Sequence, residues 1–358
     1  MERAVTEGQA TAGANSLQYK LSFEQLVLTL GYRCNMVCKS CFIGDKLNDH
    51  ATQLSYDEAV EIIERAARLQ TIRTVAFVGG EPFIFYKKML RIAAYIHQHY
   101  SVPLNVTTNG TFAKSEAQAR QLLQPLHDYG LRWLMLSLDP YHLENMDFEA
   151  AKNCLKVSLE LGIDTSVQII QRNGAPGAKE YSSMMSGDVD VANIDWIENP
   201  CSSIGNAATM LNSADLVWHD EIPKGGCNAG EYLNIQPDGE IKPCCGAGLM
   251  AKRLSIGNAK TDNLDEVVLR AEVSALLNSL IAHQGPRGLA KMLTDAGRAD
   301  LVKKHAPFTD ACHACHAFMS DPECVATLDK ALPEKSISLL ASRILTEHGQ
   351  EILREAYY

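Results

Sequence analysis

Between about residue 25 and residue 200, six short apolar runs recur with amphipathic segments between them. They are Leu26 to Leu30, Thr74 to Val78, Leu104 to Thr108, Trp133 to Leu138, Ile163 to Ile170 and Ile194 to Ile197. Several lack the alternation of a half-exposed strand, so both faces are expected to be covered, as in a parallel sheet of repeated βα units. Between the runs, Ser55 and Glu58 form a capping-box signature ahead of an apolar-periodic stretch reaching about Leu69. Phe148, Ala151, Leu155 and Leu159 share one helical face, and Gly162 follows as a stop signal. Cys154 adjoins that stripe and reads as a small core residue. The class is therefore α/β.

A chain of 358 residues exceeds the size at which one core stops growing, so a second, smaller unit is expected. The composition changes after Asn199-Pro200, and a Gly- and Cys-rich segment runs from Gly225 to about Gly248. A helical stretch, roughly Leu264 to Lys304, separates it from Cys312, Cys315 and Cys324, and an amphipathic helix is expected from Ser336 to Glu355. The boundaries read as a tail over 1–24, a barrel over 25–205, a cysteine-bearing unit over 206–330 and a terminal helix over 331–358. With 33 basic against 43 acidic side chains the net charge is −10, which disfavours nucleic acid as a partner. No stretch approaches the roughly 18 apolar residues of a membrane span, and the start lacks the apolar run of a signal peptide. The expected location is the cytoplasm, with no membrane partner.

In a reducing compartment the eleven cysteines point to metal rather than to disulfides. Directly after the first run come Cys34, Cys38 and Cys41, spaced by three and then two residues. Three thiolates on a four-iron cluster leave one iron open, as chemistry at a metal requires. The competing reading is zinc, with His50 or a distant residue as fourth ligand. Three further polar motifs close successive runs: Gly79-Gly80-Glu81-Pro82, Thr107-Thr108-Asn109-Gly110 and Ser137-Leu138-Asp139-Pro140. In a parallel βα barrel all of these converge on one rim.

On these motifs the stretch from about 25 to 205 resembles the radical S-adenosylmethionine (SAM) enzymes, whose first βα loop carries Cys-x3-Cys-x2-Cys. The resemblance implies a partial (β/α)6 TIM-like barrel and a 4Fe-4S cluster on Cys34, Cys38 and Cys41. It implies SAM contacts from Gly79, Gly80, Glu81, Pro82, Ser137 and Asp139. The glycines would admit the methionine moiety, Glu81 would accept from its ammonium, and Ser137 and Asp139 would meet ribose or carboxylate. Asn109 is a further candidate, although Asn-Gly is also a common turn. The position before the third cysteine, often aromatic in this family, is Ser40, with Phe42 following.

Beyond the barrel, Cys227 is followed by eleven residues, Gly239, four residues and Cys244. Pro237-Asp238-Gly239 reads as the turn of a hairpin between Tyr232–Ile235 and Glu240–Lys242. This resembles the SPASM/twitch extension of many radical SAM enzymes and implies an auxiliary 4Fe-4S cluster. The implied ligands are Cys227, Cys244, Cys312 and Cys315, with Cys324 as an alternate. One auxiliary cluster is expected, because the two-cluster form needs more cysteines in its last section than stand here. The competing reading is a structural zinc ribbon, which His313 and His316 would suit. Cys201, after the sixth run, and Cys245 are candidate hydrogen-atom donors; the alternative for both is a buried thiol.

The resemblance implies an enzyme that cleaves SAM to a 5′-deoxyadenosyl radical and abstracts a substrate hydrogen, an oxidoreductase-type modification of a ribosomally made peptide in the first instance. The roughly 24 residues before the first run leave no room for a leader-binding domain, so a separate leader-binding protein or the SPASM-like region is expected to recognise a peptide. A reductant such as flavodoxin or ferredoxin is a further expected partner. The alternatives are a dehydrogenase or epimerase of a carbohydrate or small molecule, and a non-catalytic zinc scaffold.

Overall fold

A computed structural model describes residues 21, 23–225, 227–282 and 285–332. Most of the expected tail and the helix expected over 336–355 lie outside the described residues. The six apolar runs form strands β1 (Gln25–Thr29), β2 (Thr74–Val78), β3 (Leu104–Thr108), β4 (Leu131–Ser137), β5 (Asp164–Ile170) and β6 (Ile194–Asn199). The hairpin supplies β7 (Tyr232–Ile235) and β8 (Glu240–Lys242), and β9 (Gly257–Asn258) closes the series. The sheet order is β6-β5-β4-β3-β2-β1-β7-β8-β9.

From β6 to β7 every pairing is parallel; β8 and β9 join antiparallel. The cysteine-bearing unit is thus part of the barrel's own sheet. β1 pairs with β2 on one side (Leu28↔Phe77) and with β7 on the other (Leu28↔Ile235). A chain of side-chain hydrogen bonds reinforces the second seam. Thr29 Oγ1 donates to Asn234 Oδ1 (3.2 Å), Gln236 Nε2 donates to the same oxygen (2.8 Å), and Tyr32 Oη donates to Gln236 Oε1 (3.2 Å).

The helices Tyr56–Ala67, Tyr86–His99, Glu116–Asp128 and Phe148–Glu160 cover one face of the sheet. Their Ile62, Ile92, Leu123 and Leu155 meet Leu28, Phe77, Val106 and Leu136 in a continuous core. Cys154 lies in that core, fully buried. The capping box is formed as the residues demand: Ser55 Oγ accepts from the Glu58 N–H and Glu58 Oε2 accepts from the Ser55 N–H. The expected long helical stretch is instead divided into Leu264–Glu272, Ala275–Ala282, Arg287–Asp295 and Ala299–His305. Gly297 shows why at one break: its φ of +76° ends a helix, and the Arg298 N–H returns to Leu293 O at 2.8 Å. Among the described residues no helix is long and apolar enough to cross a membrane.

Because β1 is shared by both parts of the sheet, truncating its fully buried Leu28 opens a cavity at the centre of the fold. Leu28→Ala is expected to cost about 2–5 kcal/mol in denaturant unfolding, against about 1 kcal/mol for removal of the cap by Ser55→Ala. Equal midpoints for the two variants would contradict the central place given to β1.

Candidate active site at the carboxyl rim

The cysteine loop leaves β1 at Leu30 and is clamped from two directions. From β2, the Gly80 N–H donates to Gly31 O (2.9 Å) and the Glu81 N–H to Arg33 O (3.0 Å). This contact explains the glycine pair. A Cβ on Gly79 would lie 2.7 Å from Gly31 O, and one on Gly80 would lie 2.2 Å from Tyr32 O. From beyond β6, the Asn206 N–H donates to Cys41 O (2.9 Å) and Asn206 Nδ2 donates to Cys38 O (3.0 Å). Gly205 makes that strap possible: its φ is +61°, and a Cβ there would sit 2.5 Å from Phe42 O. The strap has no recognisable sequence signal, since Gly205-Asn206 lies outside every motif.

Glu81 and Asp139 are both buried, and the oxygens of both already accept from the protein. Glu81 Oε1 takes Thr108 Oγ1 (2.7 Å) and the Phe83 N–H (3.0 Å), while Oε2 takes the Asn109 N–H (2.8 Å). Burial pushes the Glu81 carboxyl up from its ordinary value, against the pull of these donors. Asp139 Oδ1 caps the short helix Pro140–Leu143 through the Tyr141 and His142 N–H groups (2.9 and 3.0 Å). Its Oδ2 meets His142 Nδ1 at 2.8 Å and accepts from the Ile170 N–H at 3.3 Å. Burial disfavours the His142 imidazolium, yet the Asp139 carboxylate and the Cys38 sulfur outweigh it and bring the group up to about 10. Both carboxylates, expected to face a ligand, therefore also fasten neighbouring strand ends together.

Asn109 stands against the first cysteine: Nδ2 donates to Asn35 Oδ1 (2.9 Å) and lies 3.9 Å from Cys34 Sγ. Asn109 Oδ1 accepts from Thr111 Oγ1 (2.7 Å), and Asn35 Nδ2 donates to the same hydroxyl (2.7 Å). Asn35, Thr111 and His142 stand outside the residues singled out by sequence, and Thr108 enters only as part of its motif; Asn35 stands inside the cysteine spacing and Thr111 beside the Asn-Gly turn, which are the only local signals. Ser137, half-buried at the end of β4, makes no side-chain hydrogen bond to another described residue. Pro82 opens the short helix after Glu81.

Cys201 is 4% exposed and packs in a small apolar cluster with Met36, Cys38 and Tyr141, behind the cysteine loop. Burial pushes its thiol up to about 12, so it is held as S–H. Burial does the same to Cys34, also to about 12. Cys34 would shed its proton on taking up metal.

The second thiol group gathers behind β8. Burial, and after it the sulfurs of Cys315, Cys245, Cys312 and Cys227, raise the Cys244 thiol well above its ordinary value, so four other cysteines lie within electrostatic reach of it. Two glycines wall it: a Cβ on Gly246 would lie 3.2 Å from Cys312 Sγ, and one on Gly248 would lie 3.5 Å from Cys244 Sγ. Cys245 is exposed beside this group. Cys324 sits elsewhere, with His305 and Asp321, whose Nε2 and Oδ2 are 2.7 Å apart. His313 Nδ1 accepts from the Thr309 N–H at 3.2 Å, which commits that ring nitrogen. Among the described residues only His305, Asp321 and Cys324 bring three ligand atoms within 4.8 Å of one another. A tetrahedral zinc would hold its sulfurs about 3.8 Å apart, so both thiol groups are spread more widely than one zinc ion requires.

A model of the radical SAM superfamily matches residues 28–172, and a model of the SPASM iron-sulfur cluster-binding domain matches residues 227–316. The chain is 20% identical over 299 residues to YydG of Bacillus subtilis (strain 168), a protein named for peptide biosynthesis; the match covers 83% of this chain and 92% of YydG. It is 31% identical over 149 residues to the GTP 3',8-cyclase of Campylobacter fetus subsp. fetus (strain 82-40), covering 41% of this chain and 44% of the cyclase. The solved structure of anSMEcpe with bound AdoMet and Cp18Cys peptide superposes with a TM-score of 0.48 at 13% identity, over 88% of this chain and 99% of that one. Cys34, Cys38 and Cys41 fall inside the first family match and Cys227, Cys244, Cys312 and Cys315 inside the second: the chain belongs to the radical SAM superfamily and carries a C-terminal SPASM iron-sulfur domain.

Proposed function

We propose that this chain cleaves SAM reductively and modifies a ribosomally made peptide. The observation that carries the peptide reading is the similarity to YydG, which runs through barrel and SPASM domain alike, whereas the cyclase match spans less than half of either chain. In this reading Cys34, Cys38 and Cys41 hold a 4Fe-4S cluster with one iron left for SAM, and Cys227, Cys244, Cys312 and Cys315 hold one auxiliary 4Fe-4S cluster. When bound, cluster and SAM supply an electron and a 5′-deoxyadenosyl radical able to take a hydrogen atom from carbon.

The chain's own residues do the positioning. Backbone at Gly79-Gly80, the Asn109 amide beside Cys34 and the free Ser137 hydroxyl face SAM, while Glu81, Pro82 and Asp139 hold the walls on which those groups stand. Cys201, kept protonated beside Cys38, is one candidate to return a hydrogen atom to a substrate radical, and Cys245, exposed at the auxiliary site, is the second; Cys324, drawn into the cluster with His305 and Asp321, drops out as the alternate auxiliary ligand. A separate leader-binding protein and a flavodoxin- or ferredoxin-type reductant complete the reading.

Anaerobically reconstituted protein is expected to carry about eight irons per chain, as two cubane clusters require. Changing Cys34, Cys38 and Cys41 together to Ala should abolish 5′-deoxyadenosine formation and leave the auxiliary absorption; continued 5′-deoxyadenosine release would overturn the ligand assignment. Gly205→Ala, which drives a Cβ into Phe42 O, is expected to lower iron at the first site only, taking the total toward about four. Incubation with SAM, reductant and the precursor peptides encoded beside the gene should change the mass of one of them, and no change in any would count against the peptide reading.

A further inference from the structure

Among the described residues two buried side-chain polar atoms lack a hydrogen-bond partner, His127 Nδ1 and Tyr141 Oη. His127 ends the helix Glu116–Asp128 and has Asp128 Oδ1 3.7 Å from that nitrogen. Tyr141 is wholly buried, and its ring belongs to the small packing group behind the cysteine loop. Met36, Cys38 and Cys201 are buried in that group, and Cys34, Cys41 and Trp218 pack against it, so it gathers all three cysteines of the loop. The other side-chain heteroatoms of the group are sulfur, apart from Trp218 Nε1, which already donates to Ser213 O (3.0 Å). The phenol is thus a hydrogen-bond donor surrounded by sulfur, and a buried hydroxyl left unsatisfied is costly.

The ring is fastened from several directions. The Tyr141 N–H donates to Asp139 Oδ1 (2.9 Å) and its carbonyl accepts from Asn145 Nδ2 (3.1 Å). The Arg172 guanidinium lies 5.9 Å from the ring centroid and is tied to Asp215 Oδ1 (3.1 Å). Burial, and after it the Cys201 sulfur, push the phenol up from its ordinary value, so it keeps its hydrogen at neutral pH. Cys201, itself held as S–H, is a weak acceptor. Sulfur that carries negative charge, as thiolate or sulfide in an iron-sulfur cluster, is a far better one. Hydrogen bonds to cluster sulfurs are one of the levers that set reduction potential, because the reduced cluster holds an extra electron that a donor stabilises.

We propose that Tyr141 Oη donates a hydrogen bond to a sulfur of the cluster held by Cys34, Cys38 and Cys41, and that this bond makes the cluster easier to reduce. The inference rests on the cluster assignment made above and is independent of the substrate. No proton moves: the electron comes from the flavodoxin- or ferredoxin-type reductant, and the phenol stays O–H in both states.

The test is a redox titration of the reconstituted holoenzyme without SAM, followed by electron paramagnetic resonance, for the unaltered protein and Tyr141→Phe. Phenylalanine keeps the ring and removes only the unpartnered hydroxyl, so iron is expected to stay at about eight per chain. The reduction equilibrium of the first cluster should become about tenfold less favourable, a fall of about 59 mV for one electron. The auxiliary signal, recorded alone in the protein with Cys34, Cys38 and Cys41 changed to Ala, should keep its midpoint. In D2O, the reduced first cluster should show one coupled exchangeable hydrogen that Tyr141→Phe lacks. Should Tyr141→Phe lose iron, 3-fluorotyrosine at position 141, a stronger donor of nearly the same shape, is expected to raise the first midpoint. Unaltered protein with iron at the auxiliary site alone removes the ligand assignment and this inference with it. With both clusters present, an unmoved first midpoint, an equal shift of the auxiliary one, unchanged exchangeable couplings, or a change confined to SAM affinity overturns this inference alone.

Discussion

The structure depends on β1 having two parallel neighbours. Leu28 pairs with Phe77 of β2 and with Ile235 of β7, so the strand that launches the first cysteine loop is also the one on which the SPASM hairpin is built. Backbone hydrogen bonds on both edges leave β1 no freedom to slide, since a one-residue slip would turn Leu26 and Leu28 out of the core. The Thr29-Asn234-Gln236-Tyr32 chain carries that fixity past the strand end, to within two residues of Cys34.

Around this strand, motif residues serve structure and chemistry together. The glycine pair at 79–80 lets one backbone press on another, and the carboxylates of Glu81 and Asp139 tie adjoining strand ends. Buried and fully engaged, such groups hold the loops in one arrangement, and a radical reaction needs its partners placed within fractions of an ångström. Removing one partner from these buried networks would leave the other unsatisfied, so their conservation of geometry follows from energetics as much as from contact with a cofactor.

Much of this was legible in the residues. The six strands fell where apolar runs stood, the helix at Tyr56–Ala67 began at its capping box, and the hairpin turned at Pro237-Asp238-Gly239, because each signal is local and periodic. The cysteine spacings are equally local, and they fall within the radical SAM and SPASM matches. What was not legible depends on distance along the chain. Nothing in Gly205-Asn206 announces that it will strap a loop more than 160 residues earlier, and β7 is too short to declare which strand it will join. Cys324 followed the other cysteines in sequence, yet the turn at Asp321, held by His305 and Lys304, carries it into a separate polar cluster. The breaks in the segment 264–304 escaped because its apolar period persists across them, through Val273-Ser274, which holds no glycine, and through Gly297, whose left-handed backbone ends a helix.

The seam between β1 and β7 also bears on modularity. The composition change after Pro200 invites a cut there for swapping auxiliary units between related enzymes, but such a cut would strip β1 of its outer neighbour and expose a row of unpaired peptide groups on the strand that carries the first cysteines. A graft that preserves the catalytic half must bring its own strand for that edge, in the same direction and register, so the exchangeable unit is larger than the cluster-binding segment it delivers.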